Sequence, residues 1–277
     1  IMSTSIKLPG KPVNLADLSG IQRLCISLWA SEGAGKTRFI MSCPRPLIII
    51  GYDRPMQAEQ WVSQGFDVED VFYYNLAGKG PTAMIKDTDD IVHSAVMHGS
   101  GTLALDNAKV LWDAESDLRD KNPKRGALTF GEPNGKMAQR YAEAISTPLG
   151  MPSALNFVVT HPATDEWVIV EKEGGGKTGQ RSGRHVPHQW SKTGYFMDAV
   201  LWLYRYPPFH AMAIPTKLPD AVTQKVEASY WARPSKFNYQ PELVGADIPD
   251  PSFARIWVES FDTPPPETAW KPAKTKK

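Results

Sequence analysis

The chain has 277 residues, a formal net charge of +1 and 42% hydrophobic residues, enough apolar material for one large domain. That charge balance excludes binding of nucleic acid by bulk positive charge, and confines any such contact to local basic stretches. Cys25 and Cys43, the two cysteines, have no spacing that suits a disulfide framework or a zinc site, and point to a reducing, cytoplasmic setting.

Residues 1–20 are polar and broken by Pro9, Gly10 and Pro12, and read as an N-terminal arm. They carry no basic-then-apolar signal pattern, and no apolar run approaches the roughly 18 residues of a membrane span. No membrane partner is expected. The core begins with "RLCISLWA" (23–30), an apolar run of strand type, followed by the octet Ala30-Ser31-Glu32-Gly33-Ala34-Gly35-Lys36-Thr37 and the helix-like "KTRFIMSC" (36–43).

This octet is close to G-x-x-x-x-G-K-[ST], in which small residues let backbone N–H groups curl around phosphates, the lysine reaches the β and γ groups, and the hydroxyl binds Mg²⁺. Ala30 stands where the pattern has its first glycine. The strand before and the helix after are the context the pattern requires, so Glu32, Gly33, Ala34, Gly35, Lys36, Thr37 and Arg38 are the expected nucleotide-binding residues. Gly176-Lys177-Thr178 repeats the tripeptide without strand or helix around it and is rejected.

Further along, "PLIIIGYD" (46–53) reads as a strand ending at Asp53, a residue suited either to orienting the attacking water or to a turn. A helix is expected at 55–64. "GTLALDNA" (101–108) ends in Asp106, expected to hold Mg²⁺ with Thr37, or to cap the helix that follows at 108–118. A helix at 136–147 is expected to stop at Pro148. "ALNFVVTH" (154–161) places Thr160 and His161 at a strand end, where His161 either senses the γ-phosphate or is satisfied by backbone. "DAVLWLYRY" (198–206) is a further strand. Strands alternating with helices imply a mostly parallel sheet with helices on both faces. The end, 262–277, is rich in proline and lysine and reads as a disordered tail, which leaves 21–261 as the folded domain.

The order of phosphate loop, "PLIIIGYD", "TLALD", "NFVVTH", a glycine-rich polar stretch and "GYFMDAVLWLYR" resembles the RecA-like P-loop ATPases, particularly short phage-encoded members associated with single-strand annealing and recombination. The resemblance implies Mg²⁺-dependent ATP hydrolysis, with Lys36, Asp53, Asp106 and His161 in catalysis and an aspartate at 53 where the family more often has glutamate. It further implies a homo-oligomer, ring or filament, in which Arg233 of "KVEASYWARPSKF" reaches a neighbour's γ-phosphate. It also implies single-stranded DNA as partner, a single-strand-binding protein as a further one, and host cytoplasm as location.

Two DNA-facing loops correspond by this resemblance to 119–136 and 163–191. Both carry local positive charge: Lys121, Lys124, Arg125 and Lys136 in one, Lys177, Arg181 and Arg184 in the other. Phe130 and Trp190 are placed to stack a base. A kinase for a small acceptor, a helicase or packaging motor, and a nucleotide-binding scaffold with little turnover are the competing readings.

Overall fold

The computed structural model describes residues 22–53, 56–121, 135–150, 153–171, 177–188, 193–206 and 229–263. Its first strand, β1 (Cys25–Ala30), is buried along its whole length, as a central parallel strand covered on both faces must be. A glycine turn leads into α1 (Lys36–Met41), then β2 (Leu47–Gly51), α2 (Ala58–Ser63), β3 (Val71–Asn75), α3 (Pro81–His98), β4 (Thr102–Asp106) and α4 (Ala108–Lys121). The chain continues through α5 (Gly135–Gly150), β5 (Asn156–Glu171), β6 (Lys177–Pro187), β7 (Ala199–Tyr206), β8 (Ser229–Phe237), β9 (Ile248–Pro249) and α6 (Phe253–Phe261).

The strands form one sheet in the order β3-β2-β4-β5-β1-β7-β8-β9, with β6 paired to β5 alone. All contacts from β3 to β7 are parallel, whereas β8, β9 and β6 add antiparallel pairs at the margins. Successive side chains of a strand point to opposite faces, so the sheet carries two apolar layers. On one face Leu28, Ala104, Val158 and Leu201 pack with Phe39 and Ile40 of α1 and with Ile256 and Trp257 of α6. On the other, Trp29, Leu105 and Val159 pack with Val92 of α3, Leu111 of α4 and Ile145 of α5. This is the α/β architecture expected from the sequence, a mostly parallel sheet with helices on both faces.

Three local expectations change. The helix predicted to stop at Pro148 runs on to Gly150 with the proline inside it. Near a helix end the last carbonyls have no partner within the helix, and here Arg23 donates to the carbonyls of Pro148 and Leu149 at 2.9 and 2.5 Å. Second, the stretch 163–191 is largely not a loop: β5 continues to Glu171 and returns as β6, an antiparallel ribbon with Trp167 opposite Arg181 and Ile169 opposite Gly179. Third, β3 and α3 occupy residues to which no element was assigned. The arm at 1–20 and residues from 264 onward lie outside the described residues.

Candidate functional site

The glycine-rich loop expected to hold phosphates forms where β1 ends. Gly33 and Gly35 have φ of 75° and 98°, a left-handed backbone that glycine adopts without steric cost, and together they turn the chain into α1. Ala30 is still a strand residue, aligned with Pro162 of β5 and fully buried, so its methyl packs in the core at a position that needs no glycine conformation. The departure from the usual pattern is thereby absorbed.

Lys36 folds over the loop, its Nζ donating to the carbonyls of Ala30 at 2.9 Å and Ser31 at 3.2 Å. Burial pulls its pKa down, partly offset by the charges of Asp106, Asp53 and Glu32. Thr37 donates to Asp106 Oδ2 at 3.3 Å across the sheet. Although β4 is separated from β1 by β5, the parallel register brings both strand ends to the same edge. Burial also raises the pKa of Asp106, against the hydrogen bond from Thr160 Oγ1 to its Oδ1 at 2.7 Å. The desolvated ammonium, bonded to the carbonyls of Ala30 and Ser31, and the desolvated carboxylate, bonded to the hydroxyls of Thr37 and Thr160, lack the solvation that bulk water would supply. An Mg²⁺-bound triphosphate offers both signs of charge, so the donor set fits that ligand.

Asp53 lies just beyond β2 and accepts from Asn107 Nδ2 at 2.8 Å. Asn107, at φ 68°, also donates its backbone N–H to Thr160 Oγ1 at 2.9 Å. Thus Asp53, Asn107, Asp106 and Thr160 form one hydrogen-bonded row along the carboxyl ends of β2, β4 and β5. A cavity of about 580 Å³ opens over this row and the loop, lined among others by Glu32, Lys36, Thr37, Asp53, Asp106 and Tyr230. Gly33, Gly35 and Arg38 line it as well.

His161 is placed differently from Thr160. It aligns with Trp29, is fully buried, and neither ring nitrogen has a hydrogen-bond partner among the described residues. Burial, with the nearby charges of His188 and Lys36, pushes its pKa down to about 3, so it is neutral. Alternation along β5 sends Thr160 toward Asp106 and His161 to the opposite face. Thr160 is the strand-end side chain that touches the site.

Arg233 of β8 pairs side-on with Asp247, at 2.7 and 2.8 Å, and lies over the rings of Trp202 and Tyr204. It does not line the cavity in its own chain. Arg181 and Lys177 sit on the exposed ribbon, Arg181 paired with Asp165 at 3.1 Å and stacked 5.6 Å from the centre of Trp167. Arg184 follows on the same strand. Lys121 and Lys136 belong to α4 and α5, with side chains that are not described. Lys124, Arg125, Phe130 and Trp190 lie outside the described residues.

Sequence reasoning missed several cavity residues, among them Tyr230, Tyr73, Trp61 and Gln60. Tyr230, at the start of β8, packs so closely on the loop that a Cβ at Gly35 would lie 2.7 Å from its ring. Tyr73 crosses Gly51 in the same manner, and Trp61 and Gln60 come from α2. No motif marks these side chains; only strand order brings them together. Among the described residues, no group of three or more His, Cys, Asp or Glu side chains is arranged to hold a metal by itself, and no helix is long and apolar enough to cross a membrane.

No protein-family model matches the chain, and no curated protein matches it. Among solved structures, it is similar to the assembled ATPase EscN, solved in complex with its central stalk EscO from the type III secretion system of enteropathogenic E. coli. The TM-score is 0.41 at 9% identity, over 65% of this chain and 42% of the EscN chain. The chain therefore spans less than half the length of that neighbour.

Proposed function

We propose that this protein is a Mg²⁺-dependent ATPase that works on single-stranded DNA, in recombination, annealing or replication. The observation that carries the nucleotide reading is the Thr37–Asp106 contact beside a half-buried Lys36 at the mouth of a parallel sheet. The loop amides and Lys36 would hold the phosphates, and Thr37 with Asp106 would hold Mg²⁺. Bound there, the ion supplies neutralisation of the β- and γ-phosphate charge. Asp53, steadied by Asn107, is the carboxylate available to orient a water, and Thr160 fixes Asp106 for its role.

The DNA reading draws on the β5–β6 ribbon, where Lys177, Arg181 and Arg184 share an exposed strand and Trp167 is 62% exposed. Cationic side chains beside an open aromatic face are the elements that grip single strands. Because β5 also carries Thr160, ribbon and nucleotide site lie on one continuous strand. Assembly of several copies, with Arg233 serving a neighbour's nucleotide, belongs to this proposal and requires Arg233 to leave Asp247.

The test is ATP turnover without DNA, with single-stranded DNA and with duplex DNA, in wild type, Lys36→Ala and Asp106→Ala. Turnover that rises with single strands and vanishes in both variants is expected. Turnover indifferent to DNA removes the DNA half of the proposal. Nucleotide binding without turnover favours the scaffold reading, which the short Asp53 side chain and its bond to Asn107 support.

A further inference from the structure

The open edges of the sheet differ in how they are shielded. At one end of the strand order, β9 is two residues long and closes on Pro249, which has no N–H to offer a further strand. The β5–β6 ribbon is lined with charge: Asp165, Glu166 and Glu171 on one strand, Lys177, Arg181 and Arg184 on the other. At the opposite end, β3 reads Val-Phe-Tyr-Tyr-Asn, with no charge, no proline and no break in its register with β2. Phe72 and Tyr74 on this strand are 51% and 44% exposed. An uncharged aromatic edge is a template for another strand.

Hydrogen bonds to β2 fix which way the β3 backbone faces. Leu76 donates its N–H to the Gly51 carbonyl at 2.8 Å, and the Asp70 carbonyl accepts from Leu47 at 2.9 Å, so the even-numbered residues face β2. Val71, Tyr73 and Asn75 therefore turn their main-chain groups outward. Side chains alternate between the two faces of the sheet. Val71 and Tyr73 pack on the layer that holds Trp61 and Phe66, the Tyr73 hydroxyl bonded to the Met56 main chain, while Phe72 and Tyr74 point to the other face.

We propose that β3 pairs antiparallel with the β3 of a second copy of this chain, about a two-fold axis at Tyr73. Only the outward-facing residues can exchange main-chain bonds, and centring the strand on itself sets Tyr73 opposite the partner's Tyr73. Asn75 then donates to the carbonyl of the partner's Val71, and the Val71 N–H keeps its own bond to the Val68 carbonyl at 3.4 Å. In this register Phe72 falls opposite the partner's Tyr74 in a non-hydrogen-bonded pair, the kind in which facing side chains come closest. The two exposed rings of each copy thus cover those of the other. Charge favours the same orientation. Antiparallel pairing brings Glu69 and Asp70, at the entry of β3, toward the partner's exit turn with its Lys79, whereas parallel pairing would set like charges side by side. A two-fold contact uses the same surface on both copies and closes at two. It needs neither nucleotide nor DNA, and it is separate from the assembly through Arg233.

The experiment is sedimentation equilibrium of the full chain between about 1 and about 200 µM, for wild type, Phe72→Lys and Tyr74→Lys. Wild type is expected to move from one chain toward two across this range, and each lysine variant to associate about tenfold more weakly or less tightly still. Both side chains are exposed, so the urea midpoints of the variants stay near that of wild type. A second arm reads the register. Chains carrying Phe72→Cys and chains carrying Tyr74→Cys are oxidised separately and as a mixture; Cys25 and Cys43 are buried and do not compete. A disulfide is expected in the mixture alone, because like positions sit two residues out of step, beyond the roughly 7 Å between Cα atoms that a disulfide spans. A protein that stays monomeric throughout the range overturns the proposal, and leaves the edge to a strand from another protein. A dimer indifferent to both lysine variants, or cross-linking as ready in either chain alone as in the mixture, overturns it as well.

Discussion

Thr160 donates its hydroxyl hydrogen to Asp106 at 2.7 Å while accepting the backbone N–H of Asn107 at 2.9 Å, so one buried hydroxyl fixes both the carboxylate and the turn that follows it. Removing it in Thr160→Ala leaves a half-buried carboxylate and a half-buried amide each short of a partner. The expected loss is about 1–3 kcal/mol in urea unfolding, with weaker Mg²⁺-dependent nucleotide binding. Thr160→Ser keeps the hydroxyl and is expected to recover most of both. Equal effects from the two substitutions would show that the methyl group, rather than the hydroxyl, matters.

Under the proposed function, Asp106 sets stability against Mg²⁺ binding. Burial raises its pKa above the value it has in the unfolded chain, so its contribution to stability is present at low pH and is lost as pH rises through the folded-state pKa. Asp106→Asn removes that loss. Without Mg²⁺ or nucleotide, the asparagine variant is expected to match wild type near pH 4 and to unfold at higher urea near neutral pH, while its Mg²⁺-dependent gain in ATP affinity disappears. A variant less stable than wild type at neutral pH would mean that the hydrogen bonds from Thr160 and Thr37 outweigh the desolvation.

How much of this was legible beforehand depended on whether the signal was local. The glycine-rich loop at 30–37 announces itself because glycine conformation, lysine and hydroxyl follow one another directly in the chain, and the apolar strands around it need only their own side chains to be recognised. The segment Pro81–His98 carries equally local signals: proline in the first turn, a ladder of Met84, Thr88, Val92 and Ala95 at helical spacing, and a left-handed Gly99 closing the helix. Its charged outer face, Lys86 to Asp90, masked them. The β5–β6 ribbon was harder. Gly179, Ser182 and Gly183 have loop-like composition, and the strand exists because β5 offers it a template. Trp61, Tyr73 and Tyr230 could not be assigned at all, since their proximity to the phosphate loop arises from sheet order and from no spacing in the chain.

Tyr73 depends on Gly51. A Cβ at position 51 would lie 2.0 Å from the Tyr73 hydroxyl oxygen and 2.6 Å from two of its ring atoms. Because Tyr73 lines the cavity, Gly51→Ala is expected to displace it as well as to strain the sheet, at about 1–3 kcal/mol. In a Tyr73→Ala background the same substitution finds open space. The double-mutant cycle should therefore show a coupling of about 1 kcal/mol or more. Strict additivity would mean that the alanine methyl strains the backbone and leaves the ring alone.

His161 supplies an acid-sensitive element next to the site. Its pKa falls from 6.5 to about 3 on burial, so the neutral form stabilises the fold above the unfolded-state pKa, and that contribution drains away as pH drops from 6.5 toward 3. The slope reaches about 1.4 kcal/mol per pH unit within this window, because the unfolded chain binds a proton that the buried ring refuses. His161→Gln, which cannot titrate, is expected to flatten the acid limb of the stability profile while changing the neutral-pH value by a smaller amount. Urea unfolding of the two proteins at half-unit steps between pH 4 and pH 7.5 reads this directly. Parallel profiles would mean that His161 takes up its proton inside the folded protein. That outcome would require the ring nitrogens, which have no partner among the described residues, to find an acceptor.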